Sequence, residues 1–286
     1  MHWFAWLLSA YLLFSGCDSS TKENLNATAQ MALGKKLFFE TRLSLNGQTS
    51  CASCHLPSHG FAEPVPARAI GFNLSRNTPG LWAVGKRKRL HWDGGVPDLE
   101  SQALGPLQSM EELGLNLKIG VKRLAQDPFY QSAFQFAFGG PPEVGTLVQA
   151  LAAFQRSLDP LAFLDAQRMK AFKPHFNLFL KVGCGKCHIP PYFFKDEFMR
   201  LNEEENDPGR GRITGRVEDE GKFRIPSLWA VGLTAPYFHN GQFPQISDAI
   251  QGHGTYAPSL SKEQMDSIVY FLSNLTPQNI IPQYKE

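Results

Sequence analysis

Apolar residues along this chain recur at helical spacing, and nowhere do they alternate over a long run. Leu33 and Leu37 stand four apart with Gly34 beside them, a pattern for a helix that another helix approaches closely. Leu147, Leu151, Phe154 and Leu158 trace one helical face that stops at Asp159-Pro160. Met265, Ile268, Val269, Leu272 and Leu275 trace another, ending at Thr276-Pro277. By themselves these stripes mean buried helices and nothing more. Gly139-Gly140-Pro141-Pro142 and Asp207-Pro208-Gly209 mark loops between them. The pattern predicts an all-α fold.

The first residues differ from the rest. Trp3 to Phe14 is almost wholly apolar and is followed by Ser15-Gly16-Cys17. That run is short for a membrane span but fits the core of a signal peptide. Small residues leading into a cysteine resemble a bacterial lipobox, so residues 1–17 are expected to be a lipoprotein-type signal with lipid on Cys17. Residues 18–27 are polar and read as a flexible tether. The expected location is the periplasm, on a lipid anchor.

With 286 residues and a net charge of +2, the chain has room for two small domains and no global charge bias toward nucleic acid. One basic run, Lys86-Arg87-Lys88-Arg89, reads as a solvated loop, with a docking patch for an acidic partner as the sharper alternative. Glu203-Glu204-Glu205 reads as a solvated loop.

Cysteine usage changes the picture most. Four of the five cysteines fall in two strings, Cys51-Ala52-Ser53-Cys54-His55 and Cys184-Gly185-Lys186-Cys187-His188. Two thiols at this spacing add to the two vinyl groups of one haem, and the adjacent histidine reaches the iron. A redox dithiol would not need the histidine, and zinc would want its four ligands clustered. Each half of the chain carries one string. Two haem c domains are therefore expected, residues 28–160 and 161–286, divided near Asp159-Pro160.

Further motifs stand in order around these strings. Ala32-Leu33-Gly34-Lys35-Lys36-Leu37-Phe38-Phe39, Arg76-Asn77-Thr78-Pro79, Trp92-Asp93-Gly94, Glu100 to Pro106, Phe223 to Leu228, and Leu233 to Gly241 together resemble the bacterial di-haem cytochrome c peroxidase family. Gly215-Arg216-Val217-Glu218-Asp219 is most similar to its MauG/MbnH branch. The resemblance implies two cytochrome c-like domains packed face to face. It implies peroxide at the N-terminal haem and electron transfer at the C-terminal one. It places Trp92 between the haems, with Gln102 and Glu112 over the first; Glu111 is the rival for the carboxylate role. Breaking the peroxide O–O bond needs a proton moved from one oxygen to the other, which a carboxylate in reach can do.

The resemblance also implies Arg224 as partner of a haem propionate, and a calcium ion held by Asn77, Thr234 and Pro236. His55 and His188 would be the proximal ligands. Phe72 stands where the peroxidases carry a displaceable histidine, which implies an open first haem. His253 stands at the distal position of the second haem, with Tyr256 as the nearest alternative. Imidazole in place of methionine favours the ferric state. The function implied is peroxide-dependent oxidation of a protein partner by long-range electron transfer. The alternatives are a peroxidase fed by a small cytochrome or cupredoxin, and a di-haem electron carrier.

Overall fold

The computed structural model describes residues 19–65, 76–163, 165–201 and 206–277; Cys17, Phe72 and Glu203 to Glu205 lie outside them. The predicted stripes are buried helix faces. α1 (Ser19–Phe38) packs on α4 (Pro128–Phe138) and along α5 (Val144–Ser157). A Cβ on Gly34 would lie 1.8 Å from the Ala150 carbonyl oxygen, so only glycine lets these two backbones meet. Leu147, Leu151, Phe154 and Leu158 are all essentially inaccessible. In the C-terminal half α6 (Ala166–Lys181) packs on α9 (Lys262–Asn274). His175 bonds Ser267 at 2.7 Å and packs its ring against Tyr270, pinning those two helices together.

Among the described residues the one sheet is a two-stranded pairing of β1 (Phe198–Met199) with β2 (Phe223–Arg224). The all-α expectation holds. Two expectations are corrected. The stretch read as a tether is already helical from Ser19, though Glu23, Asn24 and Leu25 stay exposed. In the basic run, Lys86, Lys88 and Arg89 are exposed, Lys86 pairing with Asp159 at 2.9 Å, but Arg87 turns inward.

The two halves are built alike. Pro79-Gly80-Leu81-Trp82-Ala83-Val84-Gly85 is repeated 147 positions later as Pro226-Ser227-Leu228-Trp229-Ala230-Val231-Gly232. Ala83 and Ala230 both take left-handed φ (62° and 59°), and each opens a 3-10 turn. A Cβ on Gly85 or Gly232 would come within 2.8 Å of the α5 or α9 backbone, which fixes glycine at both. The same offset carries α2 (Leu99–Gln108) onto α8 (Ile246–Gln251) and Trp92 onto His239. Where the halves meet, the bonding is reciprocal. The Asn77 amide donates to the His239 carbonyl, and the amide of its counterpart Arg224 donates to the Trp92 carbonyl. The interface thus has an approximate two-fold axis, with Trp92 and His239 beside it, 6.5 Å apart and edge to face.

Candidate functional site

Both Cys-x-x-Cys-His strings form a 3-10 turn, Cys51–Ser53 and Cys184–Lys186, that returns the histidine amide to the first cysteine's carbonyl. His55 Nδ1 lies 2.8 Å from the Phe61 carbonyl oxygen, and His188 Nδ1 lies 3.2 Å from those of Phe193 and Pro226. Phe61 and Phe193 hold left-handed φ of 61° and 53°, which turns these carbonyls onto the rings. A carbonyl only accepts, so Nδ1 carries the proton and Nε2 keeps its lone pair for a metal. Burial lowers the pKa of His55, and it brings His188 down to about 4 with the help of nearby His253. Both are therefore neutral, as ligands must be. Burial pushes the Cys51 thiol up to about 12 and Cys184 to about 11. Thiols so raised are poorer thiolates than free cysteine.

One continuous cavity of about 990 Å³ joins the two strings. His55, Trp92, Gln102, Glu112, His188 and His253 all line it. Trp92 is buried, and its indole N–H donates to the Asn77 carbonyl at 2.7 Å. Gln102 projects from the first turn of α2, whose N-cap is Asp98. Glu112 follows the α2 C-terminus, where its amide bonds the Ser109 carbonyl and the next residue, Leu113, bonds Pro106. Its side chain is open to the cavity, and its pKa is raised by loss of solvent and by the charge of neighbouring Glu111. Glu111 lines the same cavity.

His253 follows α8, and its Nδ1 donates to the Ala249 carbonyl at 2.7 Å, leaving Nε2 free. Its ring centre lies 6.4 Å from that of His188, with the planes 72° apart. A metal–imidazole bond of about 2 Å and roughly 1.2 Å from nitrogen to ring centre put two imidazoles on opposite sides of one metal about 6.4 Å apart. Tyr256 is 58% exposed. In the other half the residue 147 positions before His253 is Pro106, inside α2 and lining the cavity. Proline offers no ligand atom there.

Arg224 is buried; its Nε donates to the His91 carbonyl at 3.0 Å, while Nη1 has no partner. Asn77 shows the same condition: its amide nitrogen donates to the Pro236 carbonyl, and its buried Oδ1 has no partner. Thr234 lies against Gly60 and Gly80 in the same region. Among the described residues no cluster of three His, Cys, Asp or Glu could hold a metal, so a cation here would rely on neutral oxygens. Around Trp92 the halves are tied by charge. Arg76 pairs with Asp93 and Asp207, and Arg212 reaches Asp93 at 3.0 Å. His239 stacks flat on Phe223 at 3.6 Å. Sequence reasoning missed Pro106 and Arg87; the repeated Leu-Trp-Ala-Val-Gly was the signal for the first.

A sequence profile described as di-haem cytochrome c peroxidase matches residues 28–165. The methylamine utilization protein MauG of Methylorubrum extorquens is 35% identical over 263 residues, spanning 85% of this chain and 74% of that protein. The cytochrome c551 peroxidase of Pseudomonas aeruginosa is 32% identical over 277 residues, spanning 86% and 78%. A crystal structure of a MauG-like protein associated with microbial copper homeostasis superposes with a TM-score of 0.76 at 26% identity, covering 90% of this chain and 92% of that one.

Proposed function

This chain belongs to the di-haem cytochrome c peroxidase family, peroxidase-type oxidoreductases with two c-type haems, and from that premise we propose that it uses hydrogen peroxide to oxidise a protein partner in the manner of MauG. The observation that carries this reading is the contrast at one repeated position. His253 stands opposite His188 at the spacing of a shared metal, and its counterpart Pro106 supplies no side-chain ligand on the side of His55. A haem held by His55 would then take no side-chain ligand from this position, while one held by His188 would also take His253, so that two imidazoles would stand in place of imidazole and thioether. Such a second haem favours the ferric state, which suits sharing oxidising equivalents rather than drawing electrons from a donor.

Bound haem supplies the iron at which peroxide is reduced and a second iron that shares the oxidising equivalents. The protein supplies the proton handling. Glu112, with its raised pKa, takes the proton from the near peroxide oxygen and returns it to the leaving one. Gln102 orients the peroxide by hydrogen bonding. Trp92, held by Asn77, bridges the two sites. Arg224, with an unbonded buried N–H, holds a haem propionate. Asn77, Thr234 and Pro236 hold a calcium ion, for which the orphaned Asn77 oxygen is the support. The repeat supports the division into haem domains at 28–160 and 161–286. We place the protein in the periplasm, anchored by lipid on Cys17; among the described residues no helix is long and apolar enough to cross a membrane.

The test is spectroscopic. The oxidised protein is examined by optical and EPR spectroscopy, then given stoichiometric peroxide. A high-spin haem that reacts at once, with both ferric signals lost together, is expected. Two low-spin haems that ignore peroxide until one is reduced would overturn the reading in favour of a peroxidase fed by a small cytochrome or cupredoxin, as the relative from Pseudomonas aeruginosa suggests. No reaction in either state would leave an electron carrier.

A further inference from the structure

The inward turn of Arg87 is unexplained by the roles given so far. Its guanidinium lines the cavity, sits over the Phe194 ring at 3.8 Å from its centre, and donates through Nη1 to the Ile225 carbonyl at 2.9 Å. Ile225 sits between Arg224, another guanidinium lining the cavity, and Pro226, whose carbonyl accepts from His188. Two cations therefore flank the short segment that holds the proximal histidine of the second haem. Among the described residues neither forms an ion pair with a carboxylate; Asp196 acts on both only at a distance, and the charge of Arg224 opposes that of Arg87. Removing an unpaired charge from water is costly, and two adjacent like charges cost more. The surroundings call for a doubly negative group with planar oxygen pairs.

The approximate two-fold sharpens this. The repeat offset carries Arg224 onto Asn77 and Arg87 onto Thr234, two of the neutral oxygen residues assigned above to calcium. Positive charge is thus built into the protein beside His188, where the equivalent positions in the other half, Asn77 and Thr234, are neutral.

We propose that Arg87 and Arg224 form one cradle for the propionate carboxylates of the haem attached at Cys184 and Cys187, with Arg87 supplied across the interface by the other half. The guanidinium fork matches a carboxylate in plane, and the Phe194 ring fixes its orientation. Arg87 is a positioning residue that sets the charge around the second haem. The proposal rests on the second haem alone and not on the MauG-like reading.

Spectroelectrochemical titration of the holoprotein between pH 5 and 8 tests it, with R87Q, R87K and the exposed neighbour R89Q as control. In the parent protein and R89Q the low-spin haem should titrate with little dependence on pH, because the arginines keep the propionates ionised. R87Q should shift the ferric-to-ferrous ratio about tenfold toward ferric at fixed potential, about 59 mV for one electron, and make the potential vary with pH. R87K should fall between. An R87Q protein with both haems attached but parental potential and pH behaviour overturns the proposal. So does an R89Q effect equal to that of R87Q. If R87Q fails to mature, R87K must recover haem attachment; a lysine as defective as glutamine also refutes a role in charge.

Discussion

Replacing Glu112 by glutamine keeps the shape and the hydrogen-bonding reach of the side chain but ends its ability to carry a proton. Nothing in the packing should change, since the side chain is open to the cavity and only its backbone is bonded, to Ser109. The loss of an acid–base group is worth about a hundredfold or more, or about 2.7 kcal/mol of barrier at 1.36 per tenfold. The assay is stopped-flow observation of the first reaction of the oxidised protein with peroxide. A second variant separates proton transfer from mere polarity. The folded-state pKa of Glu112 is raised, so its base form exists only above that value, and the rate should fall as pH drops through it. Loss of solvent is the larger cause and the Glu111 charge the lesser. E111Q should therefore move the acid limb to lower pH without abolishing the rate. An E112Q rate within a few-fold of the parent, or an acid limb that persists in E112Q, would refute the assignment. A collapse in E111Q instead would transfer the role to Glu111.

Three further outcomes are expected. H253M should keep a low-spin second haem but raise its potential, since thioether raises the potential of haem iron; an unaltered potential in a redox titration would exclude His253 as ligand. W92F removes the bond to Asn77 and should cost about 1 kcal/mol of stability. In the peroxide reaction it should also let the two ferric signals decay separately, and simultaneous loss in W92F would show that coupling bypasses the indole. G34A places a methyl where the Ala150 carbonyl stands, so α1 and α5 must part; a melting temperature within a degree or two of the parent would contradict the close contact, given the roughly 1–3 kcal/mol typical of overpacking.

The helices and the haem strings were legible because each is encoded locally, in spacing of apolar residues or in a covalent motif. The stripes at Leu147 and Met265 turned inward as read. What escaped local reading depends on the other half of the chain. Arg87 sits in a run whose composition spells surface, and only packing against Phe194 and Ile225 makes it a cavity residue. The left-handed Phe61 and Phe193 carry no sequence mark of their conformation, because phenylalanine rarely adopts it and the proximal histidine is what gives it purpose. Pro106 had a visible cue in the repeated Leu-Trp-Ala-Val-Gly, but its meaning as the partner of His253 required α2 and α8 to be seen as equivalents.

Both proximal histidines donate to backbone carbonyls, and this choice of acceptor has an electronic consequence. A carboxylate in that place would draw the Nδ1 proton away and make the ring a strong donor toward its metal. A carbonyl draws it only weakly, so in the proposed reaction His55 would push little electron density toward its metal. Proton transfer by Glu112 and reducing power lent by the other half of the molecule would then have to do the work of breaking an O–O bond. A protein built this way would gain little from a stronger proximal ligand; its reactivity would be tuned by the cavity carboxylate and from across the interface.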